Sequence, residues 1–498
     1  MAAVSAPAPE LRLPEGYGLL PGRSSAVTRH WYDTFDRRLL SAGLELYVEV
    51  EGSRTLVVAG RLGQPDASAP WSGAARSLPE VVGAADLGPD AGAVVLGRAG
   101  PRALVRLVTA RLRLEDHRVV DAEQKTVCRV VIETATTPGA DGSVRNLATA
   151  PLRGYEDETA EVAAALDAGQ VHLLPALLDA VGTLEAPGSG APGRDLRPDL
   201  PAPTALVSIL RHLLETVQAN VPGTLARWDQ EFLHDLRVAV RRGRTVLKLA
   251  RDVLPEEPRA ALAAELKWLG DVTTPARDLD VNITDFPALE AEAVADELRG
   301  DIAPFTALLA ERGETAHYNL QSALRSARFR RLMAESLASL LPSEPVDAQP
   351  LTAELARRRL DETFGRVIKR GRRIDESSPD EAVHDLRKRA KELRYTLEFF
   401  SGLLPGDQAG PLVKDLKGLQ DVLGDFNDTV VQRALLLEAA DALAAEGASA
   451  RTIVVLGEMR RELARSGQKA RGQLKERSAQ LRRWRTEGRW DRLVGSLR

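Results

Sequence analysis

Cysteine is almost missing from this chain: Cys128 is the only one among 498 residues. That excludes an intramolecular disulfide framework and an all-cysteine metal site within one chain. Aromatic residues make up only 4%, few for a protein that would stack bases. No apolar run approaches the ~20 residues that span a bilayer. The opening residues, MAAVSAPAPE, have neither the basic start nor the apolar stretch of a signal peptide. A soluble, cytoplasmic protein without membrane association is the expectation, and no cofactor is called for. A large charge of one sign is lacking too. The net charge is −4; residues 201–498 carry 47 basic against 45 acidic side chains. Any anion site must therefore come from clustering and not from bulk charge.

What is present divides the chain. The stretch from Ala186 to Pro203, APGSGAPGRDLRPDLPAP, is too rich in Pro, Gly and Ser for helix or ladder. We place a linker at 186–202 between domains at 8–185 and 203–498. In the first domain, Leu44, Leu46, Val48 and Val50 alternate with polar or charged residues, and Val105–Leu114 and Thr126–Thr134 are also strand-like. Helices are expected near Glu158–Ala168 and Val171–Val181. After the linker the apolar period becomes helical, as in Leu206–Val217, Leu236–Leu249 and Leu412–Leu423. Ser378-Pro379-Asp380-Glu381 has the form of a helix start with Ser378 at the N-cap. The fold class is α+β multidomain, an antiparallel domain followed by an all-α domain.

The all-α half contains a duplication. FLHDLRVAVRRGRTVLKLARDVLP at 232–255 aligns without a gap to AVHDLRKRAKELRYTLEFFSGLLP at 382–405. The offset of 150 pairs His234 with His384, Arg237 with Arg387, Arg241 with Lys391 and Arg244 with Arg394. It continues through Lys267/Lys417, Asp271/Asp421 and Asp278/Asp428. Two copies, about 203–345 and 350–498, related by a pseudo-twofold axis are expected.

On a helix, His234, Arg237, Arg241, Arg244 and Lys248 share one face, as do His384, Arg387, Lys391 and Arg394 until Glu398 breaks the row. The first row lacks any carboxylate between Leu236 and Arg251. A solvated face normally mixes signs, so a one-signed row points to an anion; a face paired to neighbouring helices is the alternative. Arginine forks match phosphate oxygens, and a row ~20 Å long suits a chain of phosphates. The histidines either contact that anion or are packing residues bonded to a helix carbonyl; a metal role is disfavoured, since each has only its adjacent Asp. Arg328, Arg366, Arg370 and Arg373 lie in further basic stretches that could extend the lining. Ten basic residues also cluster between Arg460 and Arg485.

At these residues the chain resembles the CHAD family, the conserved histidine α-helical domain. The resemblance covers most of 203–498: His-Asp-Leu-Arg at 234–237 and 384–387, Arg241-Arg242-Gly243-Arg244, Arg277-Asp278, Leu419-Gln420-Asp421 and Asn427-Asp428. It implies two helical bundles flanking a basic channel, polyphosphate as ligand, and association with polyphosphate granules in some members. Carried over by position, the phosphate contacts would be His234, Arg237, Arg241, Arg242, Arg244, Lys267, His384, Arg387, Lys388, Lys391, Arg394 and Lys417. Glu392 stands opposite Arg242. The first domain resembles a worn CYTH, or triphosphate-tunnel, domain through Tyr32-Asp33-Thr34 and Ala42-Gly43-Leu44. That family's ExExK strand is replaced by Glu10-Leu11-Arg12-Leu13-Pro14, and its arginine row by Leu46–Glu51. Arg106, Arg111, Arg113, Arg129 and Glu133 could line a residual tunnel, but catalysis is expected to be lost. The leading expectation is a non-catalytic binder of inorganic polyphosphate. A CYTH-type hydrolase of triphosphate or nucleoside triphosphate, and a nucleic-acid binder, are the alternatives.

Overall fold

A computed structural model describes residues 11–70, 78–168, 171–186, 192–335, 337, 340, 349–375 and 377–497. Glu10, residues 187–191 of the linker and most of the end of the first repeat lie outside those residues. The chain divides into two compact units, Met1–Ser189 and Gly190–Arg498.

The first unit is built on one antiparallel sheet. Its strands are β1 (Gly18–Leu20), β2 (Ser24–Thr34), β3 (Leu44–Glu51), β4 (Arg54–Arg61), β5 (Gln64–Pro70), β6 (Val81–Val82), β7 (Leu104–Val120), β8 (Thr126–Thr136) and β9 (Val144–Pro151). The order is β5-β4-β3-β2-β7-β8-β9, with β1 and β6 also pairing with β7. A short α1 (Arg38–Ser41), α2 (Ala84–Ala99), α3 (Glu156–Ala165) and α4 (Leu173–Ala180) cover it. Leu173, Leu174, Leu177 and Leu178 of α4 pack on Trp31, Tyr47, Val108 and Leu112. Fully burying each such leucine contributes ~2 kcal/mol of gross hydrophobic free energy. Elsewhere on the sheet, Leu87, Ala91 and Val95 of α2 cover Leu46, Val48 and Val57.

The expected strands at 44–51, 105–114 and 126–134 are present, the last two longer than the patterns suggested. Helix α2 had no clear sequence signal because Gly88 and Pro89 interrupt it; Gly88 has φ 70°, which glycine tolerates.

The second unit is helical: α5 (Ala202–Ala226), α6 (Gln230–Leu249), α7 (Glu256–Ala293), α8 (Ala303–Leu324), α9 (Ala327–Glu335), α10 (Thr352–Gly371), α11 (Asp380–Phe399), α12 (Gly406–Ala445), α13 (Ala450–Thr486) and α14 (Arg489–Gly495). The starts of α5 and α10, α6 and α11, and α7 and α12 each differ by the 150 residues of the sequence repeat. The two copies meet in a reciprocal bridge. The Ala202 amide donates to the Pro350 carbonyl, and the Thr352 amide to the Leu200 carbonyl, both at 2.9 Å. Adding 150 to one partner of each bond and subtracting it from the other exchanges the two bonds, so a local pseudo-twofold passes here. One core spans both copies, joining Leu206, Leu236 and Leu266 to Leu360, Leu386 and Leu416.

Asp229 fixes where α6 begins: its carboxylate accepts from the amides of Glu231 (2.7 Å) and Phe232 (3.1 Å), an N-cap that satisfies two orphan donors. Helix α11 starts differently from expectation. Pro379, not Ser378, is its N-cap residue. The Ser378 hydroxyl instead closes the preceding turn, accepting from the Asp375 amide at 3.0 Å. The turn takes the hydroxyl.

Candidate anion-binding site

Helices α6 and α11 pack against one another, and α7 and α12 flank them. Between them lies a cleft of about 510 Å³ lined by His234, Arg237 and Arg241 from α6 and by His384, Arg387 and Lys391 from α11. Helix α7 adds Arg277, Asp278 and Asn282; α12 adds Asn427, Asp428 and Gln432. Four arginines and Lys391 therefore face two carboxylates among the lining residues, so the cleft carries positive charge that bulk composition hides.

The pseudo-twofold is visible bond by bond. Arg237 approaches Asp278 at 3.7 Å, and Arg387 approaches Asp428 at 3.6 Å. His234 Nδ1 lies 3.3 Å from a guanidinium nitrogen of Arg277, while His384 Nδ1 lies 2.9 Å from Asn427 Oδ1. Arg277 can only donate, so His234 Nδ1 accepts and the ring proton sits on Nε2. Asn427 presents its oxygen because its amide nitrogen donates to Asp428 at 3.3 Å; His384 Nδ1 therefore donates. The two histidines hold opposite tautomers, and only His234 in its neutral form offers an Nε2–H to an anion.

Burial and like charge work against the cations. Lys391 is pulled down to about 7, first by desolvation and then by Arg241 and Arg387. Arg237 is lowered to about 10 by burial, partly opposed by Asp278. Burial, then Arg277, lowers His234. The Asp278 carboxyl is raised by burial despite the neighbouring arginines. Clustered cations whose charged forms are penalised, as at Arg237, Arg387 and Lys391, gain most from a multivalent anion.

The other sequence-derived residues lie elsewhere. Arg242 turns to Glu398 at 2.7 Å and lies over the Tyr395 ring, as does Arg394, which reaches Glu398 (3.1 Å) and Gln420 (3.2 Å). Glu392 is buried and accepts from Arg366 at 2.9 Å. Arg244 is half-buried and Lys248 and Lys417 are exposed, outside the residues lining the cleft. Lys267 is bound to Asp271 at 2.6 Å. Lys388 lines a separate cavity beside His384. Among the residues proposed as extra lining, Arg328 pairs with Glu265 over the Trp268 ring and Arg370 pairs with Asp385. Arg373 lies in another groove with Lys369 and Arg372. The part of the α6 row inside the cleft, His234 to Arg241, is ~10 Å long, half of the predicted row. Sequence reasoning singled out neither Arg277 nor Asn427 as a site residue. The signal was there: each lies 43 residues after its histidine.

In the first unit, Arg29 is held between Glu49 (2.7 Å) and Glu133 (2.8 Å), and Asn146 donates to Glu133 at 2.7 Å. Arg111 and Arg113 alternate with Ala110 and Leu112 of the α4-covered core and so point to the opposite face. Arg106 pairs with Glu80, and Arg129 is more than half exposed at the rim near Asp116. These four arginines do not line a shared tunnel with Glu133.

A tandemly repeated helical domain, with a histidine-headed basic cleft between its copies, is the class of protein these features define. Residues 208–437 match the family model of the CHAD domain. The chain is 29% identical to the CHAD domain from the plant Ricinus communis, whose crystal structure superposes with a TM-score of 0.51. That match covers 59% of this chain and 96% of the plant one. Two Mycobacterium tuberculosis relatives, the uncharacterized proteins Rv2226 and MT2285, are each 30% identical over 254 residues. The match covers 48% of this chain and 48% of each of them, so it spans about half the length of these curated relatives. No helix among the described residues is long and apolar enough to cross a membrane.

Proposed function

We propose that the helical unit binds inorganic polyphosphate in the α6–α11 cleft without turning it over. The observation that carries this reading is the convergence of Arg237, Arg241, Arg277, Arg387 and Lys391 on one cleft, whose lining holds the carboxylates Asp278 and Asp428 while Glu231 reaches Arg277 from outside it at 4.0 Å. Arginine forks and a lysine point charge suit successive phosphates better than one carboxylate. Such binding would recruit the protein to polyphosphate granules. We also propose that the sheet unit, a degenerate CYTH-like domain on this reading, does not hydrolyse triphosphate. Arg29 of β2 is already neutralised by Glu49 and Glu133, and leucines of α4 fill the face on which these groups lie.

Titration with long-chain polyphosphate at two salt concentrations tests the proposal. The affinity is expected to fall steeply with salt, as for other polyphosphate backbones, and Arg241→Glu with Lys391→Glu to abolish binding. Unchanged binding by that double variant would overturn it. Competition with single-stranded nucleic acid separates the alternative ligand, because few aromatic side chains line the cleft to stack bases.

A further inference from the structure

The pseudo-twofold fails at one place beside the cleft, and the failure creates a cavity. Between α11 and α12 lies a space of about 400 Å³ whose apolar wall is Val383, Leu423, Phe426, Val430 and Val431. It adjoins the anion cleft directly, sharing His384, Asn427 and Val431 with it. Lys388 stands on its lining, and Asp380 and Glu381 complete it. The volume falls within the roughly 300–1,000 Å³ typical of small-molecule pockets.

The first copy carries different residues at the equivalent positions. Thr273 stands for Leu423, Ala276 for Phe426, Asp280 for Val430 and Arg277 for Asn427. There the surface is polar and bonded shut. The Gln230 amide donates to Thr284 at 2.9 Å and to the Asp280 carbonyl at 3.3 Å, while Arg277 reaches back to Gln230 and His234. In the second copy the short Asn427 replaces the long arginine that spans this region, and three apolar residues replace Thr, Ala and Asp. A site for a symmetrical chain of phosphates has no use for such a one-sided apolar annex.

We propose that this cavity receives the nucleoside end of a nucleoside 5′-oligophosphate whose phosphates run into the cleft. The inference rests on the reading of the cleft as a phosphate-chain site. Each part of that ligand meets matching chemistry: an apolar wall for the base, and Lys388 on the lining for the first phosphates. Glu381 is exposed at the edge and can accept from ribose hydroxyls or an exocyclic amine.

Calorimetric titration of the full chain compares adenosine 5′-tetraphosphate with inorganic tetraphosphate, in magnesium-free buffer. The inorganic chain is the more highly charged, so a preference for the nucleotide must come from its nucleoside. Wild type is expected to bind the nucleotide at least tenfold more tightly. Val430→Trp, at a position that lines the cavity and not the cleft, is expected to erase that preference and leave inorganic tetraphosphate within about twofold of wild type. Saturation-transfer NMR on the wild-type protein gives a reading independent of the variant: adenine and ribose protons should receive saturation from protein methyl groups. Equal affinity for the two ligands, or a preference that survives Val430→Trp, overturns the cavity assignment while the cleft reading stands. Failure of both ligands to bind overturns the two together.

Discussion

Lys391 sits where the cleft's electrostatics are most demanding, and its titration has opposite consequences for ligand affinity and for stability. In the empty cleft its ammonium is lowered to about 7, whereas a bound phosphate chain favours the charged form. Binding above that value therefore takes up a proton. Affinity should fall as pH rises above about 7, by at most tenfold per pH unit for one proton, and Lys391→Arg should flatten the profile. Calorimetry in buffers of different ionisation enthalpy reads the proton directly. The sign reverses for folding. Because the folded pKa lies below the unfolded one, Lys391 burdens the ligand-free fold while it is charged in both states. That burden is relieved as pH rises from about 7 through the ordinary lysine range. Urea denaturation over this window should show Lys391's contribution to stability rising while affinity declines. Arg359 offers a purely structural contrast. It is 1% exposed, donates to the Leu249 carbonyl at the end of α6 (2.7 Å) and pairs with Glu362 (3.0 Å) and Asp252. It thus ties the first copy to the second. Arg359→Leu leaves that carbonyl without its donor and should cost about 3 kcal/mol in the same denaturation experiment.

Helices α5 and α6 are held together at Gly223. A Cβ there would come within 2.3–2.5 Å of the Phe232 ring, which is fully buried and packed edge-on against Trp228. Gly223→Ala must push that ring, and with it the start of α6, for an expected loss of about 2 kcal/mol. Polyphosphate affinity should weaken with it, since His234 lies two residues on. The periodicity of α6 was readable from sequence, as was the pairing of its positions with α11 at 150-residue spacing. Which half of the row would face α11 was not. A helical period describes one helix and contains nothing about where neighbours place their carboxylates. Arg394 left its row, and Arg242, a contact implied by the resemblance, turned from the cleft, because Glu398 and the Tyr395 ring lay within reach. The flanking helices α7 and α12 contribute through Arg277 and Asn427, whose in-register spacing from the histidines is plain only once the cleft is known. In the sheet unit, β2 escaped notice because Arg29 and His30 interrupt its apolar alternation, yet Arg29 is satisfied by carboxylates from β3 and β8.

At the scale of the molecule, two compact units should report ligand separately. A ligand that binds only the folded helical unit stabilises it by about 2.7 kcal/mol at a hundredfold excess over Kd. Scanning calorimetry with polyphosphate should move one unfolding transition upward and leave the transition of the sheet unit in place. A uniform shift of both would place ligand on the sheet unit as well. The bridge that joins the starts of α5 and α10 has a consequence for synthesis. The partners of Leu200 and Ala202 are Thr352 and Pro350, and the core of the first copy is continued by Leu360, Leu386 and Leu416 of the second. A ribosome adding roughly 5–20 residues per second needs on the order of ten to thirty seconds to supply them. Through that interval the nascent first copy presents an apolar face with no mate, which makes it a natural client for chaperones.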